Sequence, residues 1–453
     1  MCPASQSDVR MHRAVVIGAG VGGLCAAAAL ADRFDEVMVL ERDHLPDGPQ
    51  HRAGIPQGRH AHALLTGGLR AMEALLPGFG ARLKQGGAVP YTVGLDGRFE
   101  RPGFDPYPQR DLGFGGMAMS RPLLEWTVRT CVQQLRGVVV HDDRRVLEIL
   151  ASDDGMAVTG IRHEAPGGII TTLDADLVID ASGRATPTLA ALEATGRPPP
   201  AETVIGLDIG YASAIFAKPA NAPTDWKYLM HFPRAPQSSR GCIMFSIEGD
   251  RWLVSIGGRG EEKPPGDIDG FLDFTKGLRV ATVHEALCDA QPEGEPMRMA
   301  FQSSSWRHFS RMDNFPRGLL PIGDAICRFN PVYGQGMSVA ACEARVLRDL
   351  LAASDQNPLD GLASRFLPAT DAIIDTPWAM SATPDLLYPQ TVGERPADLM
   401  NILQYGATLT RLGAVDPAVH KLTSEVQHLL KPRSVLREPA LAARVMEMMK
   451  AAA

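Results

Sequence analysis

The stretch between residues 13 and 41 constrains the fold of this chain most, because it holds the parts of a dinucleotide-binding unit in the required order. Apolar runs at residues 14–17 and 37–40 predict two buried strands, and residues 24–30 predict a helix between them. The turn before the helix has the pattern GxGxxG. In such a turn the first glycine permits the tight bend, the second admits a pyrophosphate, and the third lets the helix pack closely on the sheet. The residues predicted to bind the dinucleotide here are Gly18, Gly20, Val21, Gly22 and Gly23.

An acidic residue stands at the end of the second predicted strand, where a carboxylate can accept both ribose hydroxyls of an adenosine. This residue, Glu41, follows Gly23 by eighteen positions and disfavours a cofactor with a 2'-phosphate. Glu41 and its neighbour Arg42 are therefore both candidate cofactor residues. The fingerprint alone fits NAD and FAD equally, and a non-catalytic nucleotide-binding module would carry it too.

The composition excludes several classes of function. The chain has 453 residues, of which 45% are hydrophobic, so it can bury a large core and is expected to form two or three domains. Its net charge of -7 comes from well-mixed charges, which argues against a nucleic-acid partner. Seven scattered cysteines without a CxxC pair predict a reducing cytoplasm and no metal, and we expect neither a signal peptide nor a membrane span. The HxH pair His60 and His62 is the metal alternative, but no Cys, Asp or Glu cluster joins it.

Three segments resemble the flavoprotein monooxygenases of the 4-hydroxybenzoate hydroxylase superfamily, and most closely the flavin epoxidases of monensin-type and lasalocid-type polyether biosynthesis. They are GIPQGRHAHALL at residues 54–65, SRPLL at residues 120–124 and DTPW at residues 375–378. The resemblance implies that Arg59, His60 and Arg121 lie beside a bound FAD. Arg121 has an alternative interpretation as an ordinary solvent-exposed helix residue.

Two later glycine turns resemble the other FAD segments of the superfamily. The first carries Ser182-Gly183 where the hydroxylases have Asp-Gly, so the route by which the flavin is reduced stays open. NADPH or NADH reduces the flavin either directly, which we expect to be slow, or through a flavin reductase. The second, at residues 318–339, decides for FAD. By resemblance its acid accepts a ribityl hydroxyl, and amides at a helix start stabilise a reduced flavin anion. Its candidate cofactor residues are Gly323, Asp324, Pro331, Gly334, Gln335, Gly336 and Met337.

Alternating β-rich runs between residues 203 and 257 predict an inserted sheet. In the resembling family such a sheet covers the reactive face of the flavin. Because neighbouring side chains on a strand point to opposite faces, each pocket candidate has the alternative of packing on the far face, and the sequence does not show the register. The candidates are Met230, Phe232, Met244, Phe245 and Trp252.

Together these elements predict an α/β fold, with a Rossmann-like FAD-binding domain, an inserted mixed β-sheet substrate domain and a helical C-terminal region. The FAD-binding domain is predicted over residues 1–84, 115–195 and 311–352. The substrate domain is predicted over 85–114 and 196–310, and the helical region over 353–453. Residues 426–450 are predicted to form an amphipathic tail, which we expect to pack onto the rest of the protein rather than to contact a membrane.

The resemblance implies an FAD-dependent monooxygenase. It would transfer one oxygen atom from O2, through a flavin C4a-hydroperoxide, into an apolar natural-product-like small molecule by epoxidation or hydroxylation. The flavin carries the chemistry, so no catalytic side chain is predicted. A flavin-dependent double-bond reductase is the alternative. A flavin halogenase is a further one, although residues 252–256, WLVSI, lack the second Trp of the halogenase WxWxIP segment.

Overall fold

Residues 11–353 and 357–451 are described by a computed structural model of the chain. The strands, in chain order, are β1 (Met11–Ile17), β2 (Phe34–Leu40), β3 (Val89–Thr92), β4 (Gly97–Glu100), β5 (Gly115–Ala118), β6 (Val138–His141), β7 (Arg145–Ala151), β8 (Val158–Ala165), β9 (Ile169–Asp174), β10 (Leu177–Asp180), β11 (Glu202–Ala217), β12 (Tyr228–His231), β13 (Gly241–Ile247), β14 (Arg251–Arg259), β15 (Gln291–Pro292), β16 (Met297–Arg307), β17 (Leu319–Pro321) and β18 (Cys327–Arg328). The helices are α1 (Val21–Leu30), α2 (Thr66–Leu75), α3 (Phe79–Gln85), α4 (Arg121–Val132), α5 (Thr186–Ala194), α6 (Ile268–Lys276), α7 (Thr282–Leu287), α8 (Gly336–Ala352), α9 (Leu362–Asp385), α10 (Leu399–Val415), α11 (Pro417–Gln427) and α12 (Pro439–Ala451).

The first sheet is parallel and has the strand order β17-β10-β1-β2-β6. Both of its faces are covered, which is why its strands are apolar runs and do not alternate with polar residues. On β1, Ala14 and Val16 pack into the cluster formed with the helices, whereas Val15 and Ile17 pack toward β7 and β8. The carboxyl ends of β1, β10 and β17 meet at one edge of the sheet. Ligands of doubly wound folds bind at such an edge.

The second sheet has the order β18-β16-β11-β14-β13-β12-β4, with β15 beside β11. The sheet is mixed, because β4 and β12 are parallel whereas the other neighbouring strands of the sheet are antiparallel to each other. One face carries Ala214, Phe216 and Trp252, which pack with Phe271 of α6 and Val283 of α7. These two helices therefore close that face, and the opposite face contacts the segment at residues 60–63.

Helices α9 to α12 form the end of the described chain, so the predicted combination of a Rossmann-like sheet, a further mixed sheet and a helical C-terminal region is confirmed. The predicted tail over residues 426–450 is wrong as a single element. A 3-10 turn at Arg433–Arg437 separates α11 from α12. Pro432 lies in this break, and a proline inside a helix would remove a backbone hydrogen bond because it has no N–H. Leu441 and Val445 of α12 pack against α10 and α11. Among the described residues no helix is both long and apolar enough to cross a membrane. The limits of the domains stay a prediction.

Candidate cofactor and substrate site

The glycine turn between β1 and α1 leaves an open space in front of the helix. A Cβ at Gly23 would lie 1.9 Å from the carbonyl oxygen of Gly18, and one at Gly18 would lie 2.8 Å from that of Ala181. A Cβ at Gly20, by contrast, would meet none of the described atoms within 4 Å. The packing of the protein itself therefore requires Gly18 and Gly23. Gly20 borders free space at a helix N-terminus, where unpaired N–H groups stabilise a phosphate.

The N-terminal turns of α1 and α8 lie side by side, because small residues let the two helices approach. A Cβ at Gly22 would lie 3.3 Å from the Cβ of Ala340 on α8, and Val21 beside it is buried. α8 begins at Gly336, next to the carboxyl end of β17. Two helix starts with free N–H groups thus border one groove at the edge of the parallel sheet.

Glu41 lies at the carboxyl end of β2 and is hydrogen-bonded within the protein. Its carboxylate accepts from the N–H of Ala19 at 2.8 Å and from that of Asp43 at 3.1 Å, and Nη1 of Arg52 lies 2.9 Å away. Arg52 and Glu41 are both buried, with side chains 6% and 7% exposed. The sequence analysis missed Arg52, because a single arginine in a loop carries no pattern.

Of the three arginines predicted beside the cofactor, one is buried in the structure. The guanidinium of Arg121 pairs with Glu125 at 2.7 Å, and its Nη1 lies 2.7 Å from the sulfur of Met337. This contact joins the start of α4 to the start of α8, so Arg121 is not the solvent-exposed residue of the alternative interpretation. Arg42 and Arg59 are exposed.

Asp324 lies in the groove between two glycines from different segments. A Cβ at Gly336 would lie 3.4 Å from its Oδ1, and one at Gly183 would lie 4.0 Å from its Cβ. The residue keeps solvent-accessible surface on the side of the groove, although many protein atoms lie close to its carboxyl group. These atoms partly desolvate the carboxyl and raise its pKa, against the opposing effect of Arg328 and Arg121. The carboxyl is therefore available to a hydroxyl group of a ligand.

The start of α8 contains buried polar atoms that lack a partner within the described residues. Gln335 is 2% exposed, and its Oε1 has no hydrogen bond. Glu343 accepts the N–H of Gly323 through Oε2 at 2.7 Å, its Oε1 is unpartnered, and burial raises its pKa to about 8. A Cβ at Gly334 would lie 2.7 Å from the Cβ of Ala63, so the loop packs closely on the segment after His60. Since buried polar atoms are normally paired, Gln335 indicates a missing partner in this region.

The segment around His60 is held against the second sheet by two serines. Nδ1 of His60 lies 2.7 Å from Oγ of Ser213, and the N–H of Ala61 donates to Oγ of Ser255 at 2.8 Å. The two serines lie opposite each other on β11 and β14. Burial lowers the pKa of His60 to about 4, so its imidazole is neutral at pH 7. The sequence analysis missed both serines, because a lone serine in a strand has no distinguishing pattern.

Acidification is expected to destabilise the protein through buried histidines. Burial holds the pKa of His60 and of His420 at about 4, below the ordinary value of 6.5. A depressed folded-state pKa contributes stability that is present above pH 6.5 and is lost as the pH falls toward 4, because protons bind the unfolded chain first. Each imidazole is expected to remove on the order of 2 kcal/mol by pH 5. Thermal melting between pH 8 and pH 5 measures the loss. His60→Gln should give a shallower pH dependence, and an unchanged one would contradict this account.

Asn330, at the start of the loop that precedes α8, belongs to a buried network that the sequence analysis missed. Its Oδ1 accepts from the hydroxyl of Tyr211 at 2.7 Å, and its Nδ2 donates to both carboxylate oxygens of Asp385 at 2.9 and 3.1 Å. Asp385 also pairs with Arg259 of β14. The network thus ties the loop that continues through Pro331 to the second sheet and to α9.

The register of the second sheet divides the five predicted pocket residues between its two faces. Met230 and Phe245 lie on the face that carries the two serines, and Phe232 follows them in the same alternation. Met244 and Trp252 lie on the opposite face, where they are 0% and 1% exposed beneath α6 and α7. The prediction that these two line the pocket is therefore corrected, because alternate positions of a strand point to opposite faces.

A cavity of about 240 Å³ lies between the edge of the serine-bearing face and the C-terminal helices. On the sheet side it is lined by Phe99 of β4 and by Arg101, and on the helical side by Met380, Leu409 and Val426 among others. The sequence analysis did not predict any pocket residue from the C-terminal region. Helices α9, α10 and α11 nevertheless supply much of this wall.

One surface group of metal-capable side chains is present within the described residues. Nδ1 of His44 lies 2.9 Å from Asp142 and 3.2 Å from Asp143. His44 thus pairs with both carboxylates near the end of β6. The predicted alternative, His60 with His62, is not part of such a group in the described chain.

Comparison with known proteins gives a relative that matches over most of its length. No family model matches the chain. Protein Rv3254 of Mycobacterium tuberculosis is 33% identical over 400 residues, which cover 84% of this chain and 81% of that protein. The similarity therefore spans most of both chains.

Solved structures with a similar fold include several flavin-dependent enzymes. A flavoprotein/dehydrogenase from Cytophaga hutchinsonii has a TM-score of 0.65 at 15% identity and covers 97% of this chain and 98% of its own. The flavin-dependent brominase Bmp2 has a TM-score of 0.63 at 15% identity, with 92% and 94% covered. The probable FAD-dependent monooxygenase pqsL from Pseudomonas aeruginosa has a TM-score of 0.56 at 17% identity, with 83% and 97% covered. The chain shares their fold. The predicted closeness to the polyether epoxidases stays a prediction.

Proposed function

The chain belongs to the family of protein Rv3254 of Mycobacterium tuberculosis, and from that premise we propose that it is an FAD-dependent monooxygenase. The observation that carries the proposal is the groove at the edge of the parallel sheet. The open space at Gly20, the exposed carboxyl of Asp324 and the starts of α1 and α8 all border it. The fold shared with flavin-dependent monooxygenases and halogenases supports the same interpretation.

The donors and acceptors in the groove suit FAD along its length. The free N–H groups at the start of α1 would hold the pyrophosphate. Glu41 would accept an adenosine ribose hydroxyl, since each carboxylate oxygen has two lone pairs and, among the described residues, its Oε1 accepts only the N–H of Asp43. Asp324 would accept a ribityl hydroxyl. The N–H groups of Gly336 and Met337 at the start of α8 would stabilise negative charge on the flavin ring.

When bound, FAD would supply the activation of O2, with electrons from NADPH or NADH taken directly or through a flavin reductase. The chain itself binds, orients and excludes water. His60, neutral and hydrogen-bonded to Ser213, holds its loop against the second sheet. The apolar side chains of Met230 and Phe245 on the serine-bearing face would keep the reacting region dry. We place the apolar small-molecule substrate between this face and helices α9 to α11.

Halogenation and double-bond reduction use the same class of cofactor, so the fate of oxygen is the decisive test. The FAD-loaded protein is supplied with labelled dioxygen, NADPH, a flavin reductase, chloride, bromide and a panel of apolar alkenes and arenes. We expect mass spectrometry to find one labelled oxygen atom in a product, and none when the label is in water instead. A brominated or chlorinated product would establish the halogenase. A product that gains two hydrogens under anaerobic conditions would establish the reductase. Omitting the flavin reductase should slow turnover, because Ser182 stands where the hydroxylases have Asp.

A further inference from the structure

The cavity beside the C-terminal helices has an unbalanced charge. Of the described residues that line it, three are arginines, Arg101, Arg433 and Arg437, and none is an aspartate or glutamate. Arg433 is neutralised from outside the lining, because Asp375 accepts from its Nε at 2.6 Å and from its Nη2 at 2.7 Å. The cavity therefore keeps positive charge that the protein does not compensate at its wall.

Arg101 carries this charge against aromatic rings. Its guanidinium carbon lies 4.4 Å from the centre of the Phe232 ring, 5.5 Å from that of Phe99 and 5.6 Å from that of Tyr107. Its Nε is buried without a hydrogen-bond partner, and no carboxylate of the described chain forms an ion pair with it. The rings hold the planar guanidinium in place, which leaves it preorganised for an anion.

Among the described lining residues, no carboxylate opposes the positive charge of Arg101. Burial, together with the positive charges of Arg110 and Arg101, lowers the pKa of His420, another lining residue, to about 4, so this imidazole is neutral at pH 7. Nη1 of Arg110 lies 3.5 Å from Nδ1 of His420, and the Arg110 guanidinium donates to the carbonyl oxygens of Gly413 and Ala414. The rest of the wall is largely apolar, with side chains such as Met380 and Leu409.

We propose that this cavity binds an apolar carboxylic acid, with Arg101 receiving the carboxylate and the aromatic and aliphatic wall receiving the body of the molecule. The inference that such an acid is the substrate rests on the proposed monooxygenase function. A guanidinium binds a carboxylate through paired hydrogen bonds, and an unpaired cation in a buried site gains most from such a partner. The acid group would also fix which end of the substrate remains free to extend toward the flavin.

The test uses the FAD-loaded full chain and two probes of equal length, decanoate and the neutral decanamide, in isothermal titration calorimetry. We expect decanoate to bind at least tenfold more tightly than decanamide. Arg101→Gln should remove this preference, and Arg101→Lys should keep part of it, because lysine retains the charge but loses the planar fork. Arg162→Gln, which removes an exposed arginine of β8, is the matched control and should leave both affinities unchanged.

Three results would overturn the proposal: no binding of decanoate to the wild type, equal affinity for the two probes, or an unchanged preference in Arg101→Gln. Circular dichroism and thermal melting establish whether the variants are folded. If Arg101→Gln does not fold, Arg101→Lys still tests the proposal. Because the readout is binding, it does not depend on turnover. A protein that prefers decanoate but transfers no labelled oxygen would refute the monooxygenase and leave the acid-binding cavity standing.

Discussion

Replacing Gly23 with alanine is expected to abolish FAD retention and to lower the free energy of unfolding by about 3 kcal/mol, the upper part of the usual range for overpacking. The added Cβ would lie 1.9 Å from the carbonyl oxygen of Gly18. That backbone cannot retreat, because the N–H of Gly18 donates to Leu40 of β2 at 2.8 Å. Helix α1 must therefore move away from the sheet. Chemical unfolding of the FAD-free protein measures the loss of stability, and flavin absorbance after purification measures the loss of FAD retention.

Gly20→Ala is the matched control that separates the cofactor from the fold. Its Cβ would meet no described atom within 4 Å, so the stability of the FAD-free protein should stay within about 0.5 kcal/mol of the wild type. FAD affinity should nevertheless fall at least tenfold, because the methyl group would enter the space assigned to the pyrophosphate. If Gly20→Ala binds FAD as tightly as the wild type, the pyrophosphate does not lie in front of α1.

The dinucleotide unit was predictable because its signals are local. The apolar runs at residues 14–17 and 37–40 are the buried parts of β1 and β2, and the glycines stand where the backbone passes closest to itself. The glycine turn at residues 323–324 likewise follows a short buried strand, β17. Each of these features depends on neighbours within a few residues, which a sequence shows directly.

The face of each strand in the second sheet was not predictable from the sequence. Met244 and Phe245 are adjacent and both apolar, yet they point to opposite sides, one beneath α6 and α7 and the other to the serine-bearing face. Here both faces are covered, so both carry large apolar residues and the alternation that would identify the register is lost.

Residues that act through distant partners were also missed. Arg52 meets Glu41 across a loop, and Arg101 meets the rings of Phe99 and Phe232 at the edge of a sheet. An arginine carries no periodic pattern, and its role follows from which charges fold around it. The positive charge of the cavity therefore became visible only from the positions of α9 to α11, the region for which the sequence predicted no site residue.

Asp385→Ala is expected to lower the free energy of unfolding by about 3–5 kcal/mol, because it leaves a buried guanidinium without its counter-charge. The side chains of Arg259 and Asp385 are 6% and 3% exposed, and the Arg259 guanidinium lies 4.3 Å from the centre of the Tyr388 ring. The substitution also removes both acceptors of the Asn330 amide, which ties the loop before α8 to α9. FAD affinity should therefore fall as well. Equilibrium urea unfolding and FAD titration of the folded variant measure the two effects.

Two further variants identify the cause. Asp385→Asn keeps an amide oxygen that can accept from Asn330, so its loss of stability and of FAD affinity should be smaller than that of the alanine variant. Glu148→Ala breaks the ion pair between Glu148 and Arg162, whose side chains are 45% and 48% exposed respectively. Because this pair is exposed, the substitution should change the free energy of unfolding by only about 0–1 kcal/mol. If Asp385→Ala unfolds at the same urea concentration as Glu148→Ala, the buried pair contributes no more than an exposed one. The network would then not be what holds the loop before α8 in place.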